Sequence, residues 1–334
     1  MTSNIAEYNE KVEQQIKQFE GGNRDKLPDA FSYWSRNFIA PKFASVFGTY
    51  YVHEIFAQLL VGAFPIKEKH YRFASLGSGD CENVEIKLAQ QFRDMGITRF
   101  TIDCYEISDG LRTRAASSIQ NIGLSEHFNL IASDINHDPL LATYDGIIAH
   151  HALHHFVNLE RIFDDVKSKL EDNATFAVYD MIGRNGHMRW PEVEILVRAI
   201  WDTLDPSKKF HHQLNVRWDE FINFDCSNVG FEGIRSQDIM PNLLSRFHFS
   251  HCVTFGGLTE VFFDRAFGHN FEPNNPLERA FINMLERLEN TLIDARVIKP
   301  TIMFAGLRKE PVSCKFIAPR SPLFCLRPPT PAAS

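Results

Sequence analysis

Four histidines, His150, His151, His154 and His155, follow directly on the β-prone run Tyr144–Ala149. An imidazole titrates near neutral pH, so such a cluster at a strand end suits proton removal from an acceptor, with His151 or His154 as the base. The plainer alternative is that these rings hydrogen-bond backbone or cap the following helix. Metal ligation would use rings four residues apart on one helical face, but no carboxylate accompanies the two overlapping pairs, and no metal is expected. Asp180 closes a later apolar run, where it can hold an acceptor or a water, or cap a loop.

A second group of residues is suited to binding. Tyr71-Arg-Phe-Ala-Ser-Leu-Gly-Ser-Gly-Asp-Cys-Glu82 is an apolar run that breaks into a Gly-x-Gly turn and then a helix-like pattern. Gly77 and Gly79 permit a tight strand-to-helix turn whose backbone approaches a ligand closely, and the helix start offers unpaired N–H groups. Phe100-Thr-Ile-Asp-Cys-Tyr-Glu106 is a second β-prone run that ends in a carboxylate, 29 residues after Gly77. An acid at the tip of the second strand accepts hydrogen bonds from ribose hydroxyls, which makes Glu106 a ribose clamp. A dinucleotide fingerprint would place glycine at position 82 and shorten the spacing; Glu82 stands there instead, which disfavours NAD. Asp134 and Ile135 follow another β-prone run and offer an acceptor beside an apolar wall.

These residues need a scaffold that brings strand ends together. Strand and helix patterns alternate: strand 71–76, helix 82–95, strand 99–106, helix 109–121, strands 128–132 and 144–149, helix 158–170, strand 174–180. Such alternation predicts a parallel sheet covered on both faces, with ligands at the carboxyl ends of its strands. Upstream, residues 5–20 and 50–63 have helical periodicity and flank an aromatic segment, which reads as a helical cap. The alternation stops after Met181; a polar and aromatic stretch containing a proline-led helix 191–204 reads as an inserted lid. Strand patterns return at 247–255 and 301–307, separated by helix 276–293, and complete the sheet. The organisation predicted is cap 1–65, core 66–183, lid 184–243, completion of the sheet 244–310, and a proline-rich mobile tail 311–334.

With 334 residues, 44% of them hydrophobic, the chain can bury a large core. Six cysteines without C-x-x-C spacing support neither a disulfide framework nor a thiolate zinc site. A formal net charge of −7 gives no footprint for nucleic acid. No long apolar run or signal-like N-terminus is present, so a cytoplasmic protein without membrane contact is expected.

Across residues 70–182 the motif set resembles the class I S-adenosylmethionine-dependent methyltransferases. Leu76-Gly77-Ser78-Gly79 looks like the first motif, Glu106 like the acid after the second strand, and Asp134-Ile135 like the adenine-contacting pair. Tyr144–His155 resembles the fourth-strand segment of small-molecule methyltransferases, and Leu170–Asp180 their fifth. The resemblance implies an α/β Rossmann-like sheet of seven strands, the last antiparallel, with S-adenosyl-L-methionine as cofactor and S-adenosyl-L-homocysteine as product. It adds Ser75, Ser78, Ile107 and His150 to the cofactor residues. Two departures are plain, since the family usually has an acid at position 75 and glycine at 81, where Ser75 and Cys81 stand; weaker contacts to the methionine moiety are expected.

The run Asp180–Glu192 is similar to that of a bacterial subgroup, and its Arg184, Asn185, His187, Arg189 and Trp190 resemble a substrate-contacting lid segment. Tyr33 and Trp34 would wall the pocket from the cap. The function expected is methyl transfer to an O, N or C atom of a small molecule, with specialised metabolism one setting for it and a homodimer left open. The alternatives are a non-catalytic sensor or scaffold that binds the same cofactor, and an enzyme that uses the sulfonium to steer a rearrangement.

Overall fold

The computed structural model describes residues 2–20, 26–62, 65–228 and 230–327. The chain opens with helices α1 (Thr2–Glu20), α2 (Asp29–Trp34), α3 (Ala40–Phe47) and α4 (Val52–Val61); a π-helical turn, Ser35–Ile39, joins α2 to α3. Then follow β1 (Tyr71–Leu76), α5 (Glu85–Asp94), β2 (Phe100–Glu106), α6 (Asp109–Asn121), β3 (Phe128–Ala132), β4 (Tyr144–His150), α7 (Leu159–Lys169) and β5 (Leu170–Met181). The lid region holds α8 (Pro191–Thr203) and a short hairpin of β6 (Phe210–His211) and β7 (Val216–Arg217). The chain finishes with α9 (Ser236–Arg246), β8 (His248–Phe255), α10 (Glu260–Phe263), α11 (Pro276–Asp294), β9 (Ile302–Arg308) and β10 (Lys315–Phe316).

The main sheet has the order β10-β8-β9-β5-β4-β1-β2-β3. Strands β1 to β5 are parallel, and β9 runs antiparallel to both β5 and β8. The strand order reverses between β1 and β4, so the loops after these strands diverge to opposite faces and leave a crevice at their carboxyl ends. This is the expected Rossmann-like α/β sheet with one difference, an eighth strand. That strand, β10, comes from the segment read as a mobile tail: it pairs with β8, and the nearby Arg320 is buried and bonded to Asp294 and Asn290. Short extended pairing needs only a few backbone hydrogen bonds, which proline-rich composition does not preclude. The last part of that tail, 328–334, lies outside the described residues.

Local sequence explains the elements that carry the site. Strands β1, β2 and β4 are buried on both faces, as their near-continuous apolar runs require of central parallel strands. In α7, Leu159, Ile162, Phe163 and Val166 recur at helical spacing and are all buried against the sheet. Ser108 starts α6 by accepting the Leu111 N–H, and Asn275 starts α11 by accepting those of Leu277 and Glu278. Trp34 of the cap packs on Phe31, Phe255 and Phe263, and Phe43 on Tyr179, Phe255 and Phe304, so cap and sheet share one core. All six cysteines are free thiols, and among the described residues no helix is long and apolar enough to cross a membrane.

Candidate active site

A cavity of about 1500 Å³ lies at the carboxyl ends of β1 to β5, roofed by α1, the α2–α3 turn and the lid. Its floor begins at the glycine elbow. Gly77 and Gly79 have φ of +67° and +59°, which favour glycine, and a Cβ on Gly77 would sit 2.8 Å from that of Ala152, so the turn can follow this path only without a side chain at position 77. The elbow is tied to the neighbouring strand. Gly77 and Ser78 donate N–H bonds to the Tyr105 carbonyl, and Gly79 N–H donates to Glu106 Oε2 at 2.9 Å. The other carboxylate oxygen, Oε1, accepts from Ser108 N–H at 2.8 Å. Burial raises the Glu106 carboxyl above its usual range against the pull of these backbone bonds, and the residue lines the cavity wall.

Of the two departures in the first motif, Cys81 takes a left-handed φ of +62° and Ser75 has a carboxyl partner. Ser75 is buried behind the elbow and does not line the cavity; its hydroxyl donates to Glu85 Oε1 at 2.6 Å. A carboxyl group thus stands beside position 75 from the first turn of α5, and Glu85 lines the cavity wall. Burial raises the Glu85 carboxyl to about 7. A group that binds its proton more readily when folded adds stability that is complete below about pH 4.5 and lost as pH rises through about 7. Glu85→Gln is therefore expected to remove that part of the fall in stability between pH 4.5 and 7, read as the denaturation midpoint across this range; an unchanged slope would place the titration elsewhere.

Asp134 and Ile135 line the far end of the crevice, where Tyr8 of α1 donates to Asp134 Oδ2 at 2.7 Å and packs on Phe231. Two hydroxyls at this cavity, those of Ser78 and Ser133, are buried with no hydrogen-bond partner, and such orphans call for a polar occupant. Ile107 and His150 also line the wall.

The histidines divide by environment. His151 has φ of +50° and its side chain is open to the cavity, deep under the lid, where it packs on Tyr179. Desolvation lowers its imidazole below the ordinary range. His154 and His155 sit on a 3-10 turn, not on a helical face. Asp180, which lies behind the wall, accepts from His154 Nδ1 at 2.5 Å and from the N–H groups of Ala152, Leu153 and Met181. Glu232 of the lid meets His154 Nε2 at 3.4 Å and His187 Nε2 at 2.6 Å. Burial alone would lower His154, but the charge and hydrogen bond of Asp180, with those of Glu232, raise it to about 10. Conversely, burial would raise Asp180 and Glu232, while their histidine partners hold both below the carboxylate range.

The substrate residues expected from the lid and cap are only partly brought together. Trp34, His187 and Arg189 line the cavity, although Arg189 is already paired with Glu260 at 2.5 Å. Tyr33, Arg184, Asn185 and Trp190 lie off the wall. Tyr33 points to Asn283, Asn185 accepts from Gln237 N–H, and Trp190 is flanked by the guanidinium groups of Arg184 and Arg327. Sequence alone overlooks Glu85, Glu232 and Tyr8. An acid opening α5 ten positions after Ser75 is a weak signal for the first; Glu232 lies in an irregular segment and has none.

No protein-family model matches the chain, and no curated protein does. Among solved structures the chain is similar to StiE O-MT, at 11% identity and a TM-score of 0.44, over 78% of this chain and 75% of the other. It is similar to the O-methyltransferase from a trans-AT PKS multienzyme of Brevibacillus brevis in complex with S-adenosyl-L-homocysteine, at 11% identity and a TM-score of 0.41, over 75% and 71% of the chains. A third is geranyl diphosphate methyltransferase in complex with GPP and sinefungin, at 11% identity and a TM-score of 0.43, over 77% of each chain.

Proposed function

We propose that the protein is a methyltransferase that binds S-adenosyl-L-methionine between the glycine elbow and Glu106 and serves a small-molecule acceptor held under the lid. The observation that carries this reading is the direct bond from Gly79 N–H to Glu106 Oε2, which puts the close-approach turn and the ribose acceptor on one wall. The orphaned Ser78 and Ser133 hydroxyls and the side-chain-free surface at Gly77 fit such a ligand.

Glu106 would hold the ribose hydroxyls, Asp134 and Ile135 the adenine end, and Glu85, oriented from behind by Ser75, the ammonium of the methionine moiety. When bound, the sulfonium supplies an electrophilic methyl group, and the electron pair of the broken C–S bond returns to sulfur. The chain's own contribution is to align the acceptor and exclude water, for which orientation contributes about 7–11 kcal/mol in favourable cases. Phe31, Trp34, Tyr179 and Phe255 give that region an aromatic lining, suited to an acceptor with a substantial apolar body. A proton released by a hydroxyl or amine acceptor passes to the neutral ring of His151, which faces the cavity. The Asp180–His154 pair fixes the turn that presents these rings.

Calorimetry with the full chain and S-adenosyl-L-methionine tests the reading, followed by transfer of a labelled methyl group to components of a metabolite extract. Glu106→Ala is expected to weaken cofactor binding by about 1–3 kcal/mol through lost charge-assisted hydrogen bonds. No binding by the parent chain would sink the proposal. Binding without transfer would favour a sensor, and a product of unchanged mass a rearrangement.

A further inference from the structure

The turn after β4 and the lid bring together ligand atoms that are far apart in sequence. Nε2 of His154 lies 3.4 Å from Glu232 Oε1, and Nδ1 of His155 lies 3.8 Å from Glu232 Oε2. One donor atom from each of these three residues falls within 4.8 Å of the other two. A four-coordinate ion with bonds of about 2.0–2.1 Å separates its donors by roughly 3.3–3.5 Å, so only slight closure is needed around a central ion.

Three features distinguish this group from an ordinary ion-paired cluster. His155 Nδ1 is buried and has no hydrogen-bond partner, although it points at the group. The remaining ring nitrogen of His154 is anchored on Asp180 Oδ1 at 2.5 Å, and Glu232 Oε1 is anchored by His187 Nε2 at 2.6 Å. Ligands held from behind in this way are pre-oriented, and loss of such support ordinarily costs metal affinity. Finally, all three residues line the cavity, so a fourth position would face the bound acceptor.

We propose that His154 Nε2, His155 Nδ1 and Glu232 form a site for a first-row divalent transition metal ion, with its open position turned to an oxygen of the methyl acceptor. Two imidazoles and one carboxylate suit Zn²⁺ and its neighbours, whereas Mg²⁺ and Ca²⁺ call for oxygen ligands throughout. The ion takes the place of the proton shared between His154 and Glu232. The acceptor role rests on the methyl-transfer reading; the metal site itself does not.

The test is titration of the chelator-treated full chain with Zn²⁺ against a chromophoric competitor, with Co²⁺ as a spectroscopic probe. One Zn²⁺ per chain is expected, with a visible Co²⁺ spectrum of a four- or five-coordinate site, and about ten-fold or greater weakening in Glu232→Gln and in His155→Gln. The His155 Nδ1 has no hydrogen bond to lose, so the second variant keeps the test independent of the fold. Sub-stoichiometric binding, or affinity unchanged in both variants as for surface histidines such as His212 and His269, would overturn the site. Glu106→Ala should weaken cofactor binding and keep its zinc, so failure of the cofactor reading and failure of the metal site register in different measurements.

Discussion

Replacing His151 by asparagine is expected to lower kcat about 10²- to 10⁴-fold while leaving S-adenosyl-L-methionine affinity unchanged, the range typical of losing a general base. Asparagine is the informative choice because position 151 has φ of +50°, a conformation that asparagine adopts readily and that alanine would strain. The substitution removes the proton acceptor without disturbing the turn. His151 is singled out because its side chain is the most open to the cavity of the four, whereas His154 is buried and committed on both ring nitrogens. A variant with parental kcat and KM would remove His151 from the chemistry and leave alignment as the whole of the protein's contribution. A rise in KM alone would make it a binding residue.

Asp180→Ala should cost about 3–5 kcal/mol of folding stability, because it strands the His154 ring and leaves a buried cation without one of its two carboxylates. The same change orphans the N–H groups of Ala152 and Leu153, which open the turn carrying the histidines. Asp180→Asn keeps an accepting oxygen and a similar volume, so its cost should be clearly smaller. Chemical denaturation of the two variants beside the parent measures both differences. Equal, small losses would show that the turn is held by packing of Leu153 and Phe156 and not by the carboxylate.

The expectations that survived contact with the structure are those fixed by local rules. Alternating apolar runs give the strands, turn-forming glycines give the elbow, and a carboxylate ending a strand must project at the sheet's carboxyl edge; the positions of Gly77, Gly79 and Glu106 follow from these, whereas Asp134, in the loop after β3, is singled out by the resemblance as well. The lid residues follow no such rule. Arg184, Asn185 and Trp190 resembled substrate contacts, yet Asn185 and Trp190 are occupied by Gln237 and Arg327, which folding brings from elsewhere, and Arg184 by the Arg189 carbonyl of its own segment. The segment 311–327 looked unstructured by composition and became an edge strand with a buried arginine, because a vacant sheet edge lay within reach.

The sequence by itself determined the parallel sheet, the ligand crevice at the carboxyl ends of its strands and Glu106 at its edge, since each depends on periodicities and turn geometries that act over a few residues. Only the tertiary structure decided how the histidines divide their work. Desolvation, pairing with Asp180 and the arrival of Glu232 from the lid set which ring is neutral, which is charged and which is left without a partner. Those are properties of distance in space, and two residues 78 positions apart, His154 and Glu232, carry no trace of their meeting in the order of the chain.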